Sequence, residues 1–256
     1  MQLTWKQKDF EEDLDFILFL QQDDKPVWWS KQLFEAFPSL NYEYARKLPE
    51  YERFDYIRTE MKKLSVLHSD DIQNAIKTFQ AHWTPVSEKL NQAFSSTFGY
   101  DCTKILNDME GFVGLDPVCP RNVQEYTFDI FYKFEPEYAI FAALHEITHF
   151  VWFYIWHEYF KDNPDEYDTP HLKWILSEIV VETIIRNSEI GNLVKQPKHI
   201  AYSYFYDMEI NGNLIFDTMK NLYLERKDIY DFMEKSYNFV QQNEPELRQK
   251  IVKAEK

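Results

Sequence analysis

The pentapeptide His145-Glu146-Ile147-Thr148-His149 constrains this 256-residue chain more than any other feature. On an α-helix, residues four positions apart lie about 40° apart around the axis, so both imidazoles can face one point. Two imidazoles at this spacing are half of a tetrahedral zinc site, and the adjoining Glu146 is a candidate general base. The pentapeptide therefore predicts a helix that carries two metal ligands and a proton acceptor.

The flanking sequence indicates that this helix is long and buried. Pro136 suits a first helical turn, and residues 137–160 contain no further proline and no glycine. Apolar side chains cover most of the circumference, which is typical of a helix inside a protein core. Unpaired polar side chains in such surroundings cost roughly 1–3 kcal/mol each, so they need partners. Metal coordination would supply those partners for the two imidazoles.

A second helix is predicted near residues 170–190. Thr169, which is followed by proline, is typical of an N-cap, and Gly191 is typical of a helix end. Glu178 and Glu182 lie four positions apart on one face of this segment, whose other face is apolar. One carboxylate would be the third metal ligand, and the other would accept the N–H of a ligand imidazole. We favour Glu178 as the ligand, and the assignment between the two glutamates stays open.

The motif and the second helix together resemble the gluzincin branch of the zincin metallopeptidases. In that branch the third ligand is a glutamate on a later helix, and an acidic residue follows it by four positions. The resemblance covers roughly residues 121–190. It departs from the family pattern in two ways: the interval between the motif and Glu178 is longer than in many gluzincins, and a glutamate replaces the more usual aspartate at 182. The resemblance implies zinc on His145, His149 and Glu178, activation of water by Glu146, and orientation of His145 by Glu182.

The activity implied by the resemblance is zinc-dependent hydrolysis of peptide bonds. Zinc lowers the pKa of a bound water to about 7, and Glu146 would take the proton as the water attacks a polarised carbonyl. The predicted cofactor is Zn²⁺, and the predicted partner is a peptide or protein substrate. The developing oxyanion needs a further hydrogen-bond donor. The preferred candidates for that donor are His171 and Tyr204, from a set that also contains His199, Tyr202 and Tyr206.

Two other interpretations stay open. One is a binding or regulatory protein that keeps the zincin scaffold without turnover, with structural zinc or none. The other is an all-helical interaction protein in which the motif is a coincidence, because a short motif arises by chance on the order of a few times per hundred such chains. A metzincin-type site fits less well, since Ile155 stands where the third histidine would fall and His157 lies on another face of the helix.

Composition limits the partners and the compartment. A net charge of −15 argues against nucleic acid and anionic membranes as partners. The two cysteines, Cys102 and Cys119, lack the spacing of a disulfide scaffold or a cysteine zinc site, which favours a reducing environment. No apolar run of signal-peptide length lies near the N-terminus, so we expect a cytoplasmic protein. Residues 138–156 contain two histidines and a glutamate, which argues against a membrane span.

The expected fold class is α+β and mostly α. A helical region at residues 1–99 would precede a zincin-like catalytic domain at residues 100–256, which would contain a small sheet and the active-site helix. The sequence of residues 123–134 predicts a strand ahead of that helix. The remaining predicted elements are helices near 8–21, 27–37, 41–65 and 69–97, a strand at 103–106, and amphipathic helix over 215–252.

Overall fold

The fold is mostly helical with a small mixed sheet, as the sequence predicts. The computed structural model describes residues 3–107 and 109–254. The first helices are α1 (Phe10–Phe19), α2 (Val27–Ala36), α3 (Tyr42–Ala45), α4 (Glu50–Leu67) and α5 (Ser69–Phe98). They are followed by α6 (Thr103–Asn107), α7 (Pro136–Phe160), α8 (Leu172–Arg186), α9 (Ile215–Leu224), α10 (Ile229–Gln242) and α11 (Glu244–Ala254). The strands are β1 (Thr4–Gln7), β2 (Glu110–Gly114), β3 (Arg121–Asn122), β4 (Thr127–Phe131), β5 (Glu209–Ile210) and β6 (Asn213–Leu214).

The main sheet has the strand order β1-β2-β4-β3. Strands β1, β2 and β4 run parallel, and the two-residue strand β3 pairs antiparallel with β4 at the edge. The strand predicted within residues 123–134 is therefore present as β4, but it is shorter and lies inside the sheet. Tyr126, just before β4, has a left-handed φ of 54°, which separates the strand from the preceding turn. Strands β5 and β6 form a separate antiparallel ribbon.

Helix α7 is the central helix of the core and carries the HExxH motif. It begins at Pro136, as predicted, and ends where Lys161 takes a left-handed φ of 54°. By length and composition α7 could cross a membrane, but 83% of its most apolar stretch is buried inside the fold. Helices α5 and α8 pack against it. The apolar circumference of α7 is thus explained by a protein core, as in soluble proteins.

Helix α8 lies beside α7 and is shorter than the sequence indicates. It begins at Leu172 with His171 as the N-cap residue and ends at Arg186. Thr169 is therefore not the cap; it precedes a cis peptide bond to proline. Gly191 lies beyond the helix end, in a short 3-10 turn. The helix itself is confirmed, and both of its predicted ends are wrong.

Three further elements differ from the sequence-based expectation. Residues 103–106 lie in helix α6 and not in a strand, because this short apolar run packs between the helices α5 and α7. The predicted C-terminal amphipathic segment is divided into three helices, α9, α10 and α11. Strand β1, near the N-terminus, lies in a region where only helices were predicted.

The two regions predicted from the sequence share one sheet and one core. Helix α5 ends at Gly99, whose φ of 60° is left-handed, so the predicted boundary near residue 100 coincides with a helix end. Strand β1, from the first region, pairs with β2 from the second. Buried side chains of both regions belong to one continuous hydrophobic cluster. The N-terminal helices are consequently positioned to contribute to a site on α7 and α8.

Candidate metal centre

His145 and His149 lie one turn apart on α7, and their Nε2 atoms are 3.1 Å apart. The His149 side chain is fully buried, and 12% of the His145 side chain is exposed. Burial, and then the charge of Arg121, lowers the pKa of His145 to about 3, and the pKa of His149 is also lowered for these reasons. Both imidazoles are therefore neutral near pH 7. The neutral form is the one that binds a metal ion.

Helix α8 brings one carboxylate oxygen of Glu178 to both imidazoles. Glu178 Oε2 lies 3.7 Å from His149 Nε2 and 3.9 Å from His145 Nε2, and the side chain is only 5% exposed. The point in the plane of these three atoms that is equidistant from them lies about 2.1 Å from each, within the range of Zn–N and Zn–O bond lengths. The three donor atoms thus fit a zinc ion, and their types are the ones that zinc takes.

Glu146 lies beside the imidazoles and is the other carboxylate of the centre. His145, Glu146 and His149 form a group whose ligand atoms lie within 4.8 Å of one another and could hold a metal ion. We favour Glu178 over Glu146 as the third ligand, because Glu178 Oε2 lies at nearly equal distances from both imidazoles, whereas Glu146 Oε1 lies within 4.0 Å of His145 alone. Burial raises the pKa of Glu146 to about 7, although the charge of Arg121 acts in the opposite direction. Glu146 is thus poised to exchange a proton near neutral pH.

Arg121, on the edge strand β3, joins the two carboxylates and was missed by sequence reasoning. Its Nη2 donates to Glu178 Oε1 at 2.6 Å, and its Nη1 donates to Glu146 Oε2 at 3.3 Å. The pKa of Arg121 is raised: burial opposes its charge, but Glu178 and then Glu146 outweigh burial. With both carboxylates ionised, the centre carries one net negative charge, which favours a bound cation. No local sequence pattern marks Arg121; the sheet brings it to α7 and α8.

Glu182 does not orient His145. Its Oε1 accepts from Arg186 Nε at 2.8 Å, and its Oε2 accepts from the Tyr206 hydroxyl at 2.5 Å and from the Ile200 backbone N–H at 3.2 Å. The Nδ1 atoms of the two motif imidazoles have no hydrogen-bond partner among the described residues. Glu182 lies one helical turn beyond Glu178 on α8. Its carboxylate therefore faces residues 196–206 and not α7. The predicted contact of Glu182 with His145 is therefore absent.

Among the candidates for the oxyanion donor, the structure brings Tyr202 to the centre. Tyr202 lines the same cleft as the site carboxylates, and burial, followed by the charge of Glu178, raises its pKa well above the usual value. The preferred candidates from the sequence, Tyr204 and His171, are not among the described residues that line this cleft. Tyr204 stacks on Tyr202 with ring centroids 5.5 Å apart, and His171 is an exposed cap residue. Tyr206 is bound to Glu182, and the His199 ring lies beside it with centroids 4.3 Å apart.

His145, Glu146 and Glu178 line a cleft of about 700 Å³, which we call the active cleft because these candidate site residues face it. The helices α1 and α2 form one side of it, through side chains that include Phe16 and Trp28. The remainder is formed by the loop before β3 together with Arg121, by Phe134 and the N-terminal half of α7, by residues 168–169, by Trp174 and Glu178 of α8, and by residues 200–202. The N-terminal region therefore contributes directly to the surface around the candidate ligands.

His157 and the two cysteines are not part of the candidate ligand set, although Cys119 lines the active cleft. His157 lies at the far end of α7, where its Nδ1 is 3.3 Å from the Tyr167 hydroxyl. Cys102 and Cys119 are free thiols. Neither cysteine belongs to the metal-binding group found among the described residues.

No protein-family model, curated protein or solved structure matches this chain. The chemical interpretation therefore depends on the site itself. Within the described residues, the site combines two neutral imidazoles, a carboxylate oxygen that faces them, a second carboxylate with a raised pKa, and a phenol. All of these residues except the fully buried His149 line one cleft. Such a set can bind a divalent cation and transfer a proton beside it.

Proposed function

We propose that this chain is a zinc-dependent peptidase with a zincin-like, gluzincin-type catalytic domain. Zinc would be held by His145, His149 and Glu178. The observation that carries the proposal is the convergence of three donor atoms from α7 and α8, with separations of 3.1, 3.7 and 3.9 Å. When bound, zinc supplies a Lewis acid and lowers the pKa of a water ligand to about 7.

Glu146 acts as the general base in this proposal. Its Oε2 is engaged by Arg121, whereas its Oε1 lies on the side of the ligand imidazoles, 3.9 Å from His145 Nε2. The proton of the attacking water is therefore accepted at Oε1 and later passed to the leaving amine. Arg121 holds Glu178 through Oε1, so that Oε2 stays directed at the imidazoles.

Tyr202 is the residue that we assign as the oxyanion donor. Burial and the nearby charge of Glu178 raise its pKa, so the hydroxyl keeps its proton at neutral pH and can donate a hydrogen bond. This assignment replaces Tyr204 and His171, which are outside the described lining of the active cleft. We further propose a cytoplasmic location, which the free thiols Cys102 and Cys119 support.

A catalytically silent zincin-fold binding protein is the second candidate function. One observation favours it: neither Nδ1 of His145 and His149 has a hydrogen-bond partner among the described residues. Loss of such a partner weakens metal binding by roughly 10–100-fold in zinc enzymes. A protein of this kind would bind peptide in the active cleft without cleaving it.

The test is hydrolysis of a mixed peptide library by the zinc-loaded protein and by the Glu146→Gln variant. We expect Glu146→Gln to retain zinc and to lose activity by roughly 10²–10⁴-fold, because general-base catalysis contributes that much. Glu137→Gln is the matched control, since Glu137 is an exposed residue at the start of the same helix. Equal turnover by the wild type and Glu146→Gln, or zinc binding without turnover, would contradict the peptidase and favour the silent binding protein.

A further inference from the structure

Two groups of aromatic side chains line the active cleft. The first group connects the N-terminal region to the helix that carries Glu178. Tyr202 contacts Trp28 of α2 with ring centroids 5.8 Å apart, and Trp174 of α8 at 6.1 Å. Trp29 extends the surface, with its ring centroid 5.7 Å from that of Trp28. All four rings line the cleft and are partly exposed. Because the rings hold one another in place, they form a preorganised contact surface.

A second aromatic surface follows α7 towards the candidate ligands. Phe134 and Tyr138 are in edge-to-face contact, with centroids 4.7 Å apart, and Tyr138 lies 6.3 Å from Phe141. Phe141 precedes His145 by one helical turn, so this surface leads directly to the metal centre. Tyr138 is 46% exposed, and Phe19 of α1, also on the cleft, is 39% exposed. Large rings that face an open cleft remain available to a ligand.

Formal charge in the active cleft is concentrated at its base. Arg121, Glu146 and Glu178 are bound to one another there. Among the described lining residues, the only other Asp, Glu, Lys or Arg is Asp168. A ligand that covers the walls therefore meets mainly apolar and aromatic surface, and its reacting polar group meets the charged base. Clefts of a few hundred Å³ with this distribution bind small ligands through apolar contacts, while the few polar groups set the orientation.

We propose that the active cleft selects short peptides with a large aromatic side chain next to the bond that is cleaved. The inference rests on the proposed function for the position of that bond. The aromatic side chain packs against Trp28 and Tyr202, and the adjoining peptide group lies over Glu146 and Glu178. The cleft volume of about 700 Å³ accommodates a short peptide segment and not a folded domain.

The test measures peptide binding to the zinc-loaded Glu146→Gln variant, in which turnover is suppressed. The probes are unlabelled pentapeptides of glycine and serine with blocked, uncharged ends, in which a single phenylalanine is moved along the chain, and the same peptide without phenylalanine is the reference. Isothermal titration calorimetry gives the dissociation constants. For the best-placed phenylalanine we expect at least about tenfold tighter binding than for the reference, because the ring is removed from water. Equal affinities for all the peptides would overturn the inference.

Substitutions at Trp28 localise the effect. Trp28→Ala is expected to weaken binding of the phenylalanine peptide by about fivefold to tenfold and to leave the reference peptide nearly unchanged. Trp28→Phe, which keeps a ring at this position, is expected to retain most of the affinity. Tyr51→Ala is the control, because Tyr51 lies on α4, is 67% exposed and is outside the described cleft lining. An effect of Trp28→Ala no larger than that of Tyr51→Ala would overturn the inference.

The inference and the proposed function fail in distinguishable ways. Zinc binding and hydrolysis without a preference for phenylalanine would overturn only the inference. Tight binding of the phenylalanine peptide to a protein that binds no zinc would support the aromatic cleft and contradict the peptidase.

Discussion

Two regions of the molecule bury several carboxylates, and they stabilise them by different means. In the first, which we call the aspartate cluster, Asp13, Asp116 and Asp129 are only 3%, 3% and 6% exposed. The backbone N–H groups of Leu115 and Asp116 donate to Asp13 at 2.6 and 3.1 Å. Lys8 lies 3.3 Å from Asp129. The second region is the candidate metal centre, where a guanidinium and two imidazoles lie beside the carboxylates.

The two regions differ in the groups that surround their buried carboxylates. In the aspartate cluster, burial raises the pKa of Asp13 to about 6 and that of Asp129 to about 7, so protons neutralise part of the charge. At the metal centre, Glu178 is bound by Arg121 through one oxygen and directs the other at two neutral nitrogens. Among the described residues, only the second region contains a group of side chains that could hold a metal ion.

The largest expected effect follows from removal of the guanidinium. Arg121→Met leaves two buried carboxylates without a counter-charge, so we expect the free energy of unfolding to fall by about 3–5 kcal/mol in the presence of a chelator. Zinc should restore part of this loss, because a cation neutralises the same carboxylates. Urea unfolding, once with a chelator and once with zinc, measures the loss of stability and its recovery.

Lys8→Met is the matched control in the aspartate cluster. It should cost less than Arg121→Met, because Lys8 pairs with one buried carboxylate, Asp129, whereas Arg121 pairs with two. It should show no recovery with zinc. An equal loss in the two variants, with or without zinc, would remove the distinction between the two regions.

A smaller effect separates the two glutamates of α8. Glu178→Gln is expected to weaken zinc binding by more than the roughly 10–100-fold that follows loss of an outer partner. Glu182→Gln should leave zinc affinity nearly unchanged, because Glu182 holds Arg186 and Tyr206 and not the motif imidazoles. Competition with a chromophoric chelator gives both affinities. The reverse order of effects would transfer the third-ligand assignment to Glu182.

The smallest effect, when it is expressed per pH unit, is a pH dependence of stability in the aspartate cluster. The folded pKa of Asp129, about 7, is above its ordinary value of 3.8. The stability that its protonation contributes is therefore complete below about pH 4 and is lost as pH rises towards 7. Asn at this position cannot ionise, so the stability of Asp129→Asn relative to wild type should increase by up to about 1.4 kcal/mol per pH unit across that range. A difference that does not change with pH would show that Asp129 keeps its ordinary pKa.

The sequence predicts the parts of the site that depend on local periodicity. Helix α7 follows from Pro136 and the long stretch without glycine or proline, and the imidazole pair follows from the four-residue spacing. The sequence also indicates Glu178 as a site residue, because a carboxylate on an apolar helix needs a partner.

The sequence does not reveal which segments that are far apart along the chain come into contact. Arg121 contacts residues 25 and 57 positions away, from a two-residue edge strand without a recognisable pattern. The predicted contact of Glu182 with His145 is wrong because the sequence does not indicate where residues 196–206 pack. Tyr202 could be chosen over Tyr204 only after that segment was placed beside α8.

The most direct test of the central claim is zinc K-edge X-ray absorption on the purified protein, together with its zinc content. We predict one zinc ion per chain, with two imidazole ligands and oxygen ligands, at bond lengths of about 2.0–2.2 Å. Absence of stoichiometric zinc, a sulfur ligand, or a spectrum with fewer than two imidazoles would contradict a centre built from His145, His149 and Glu178.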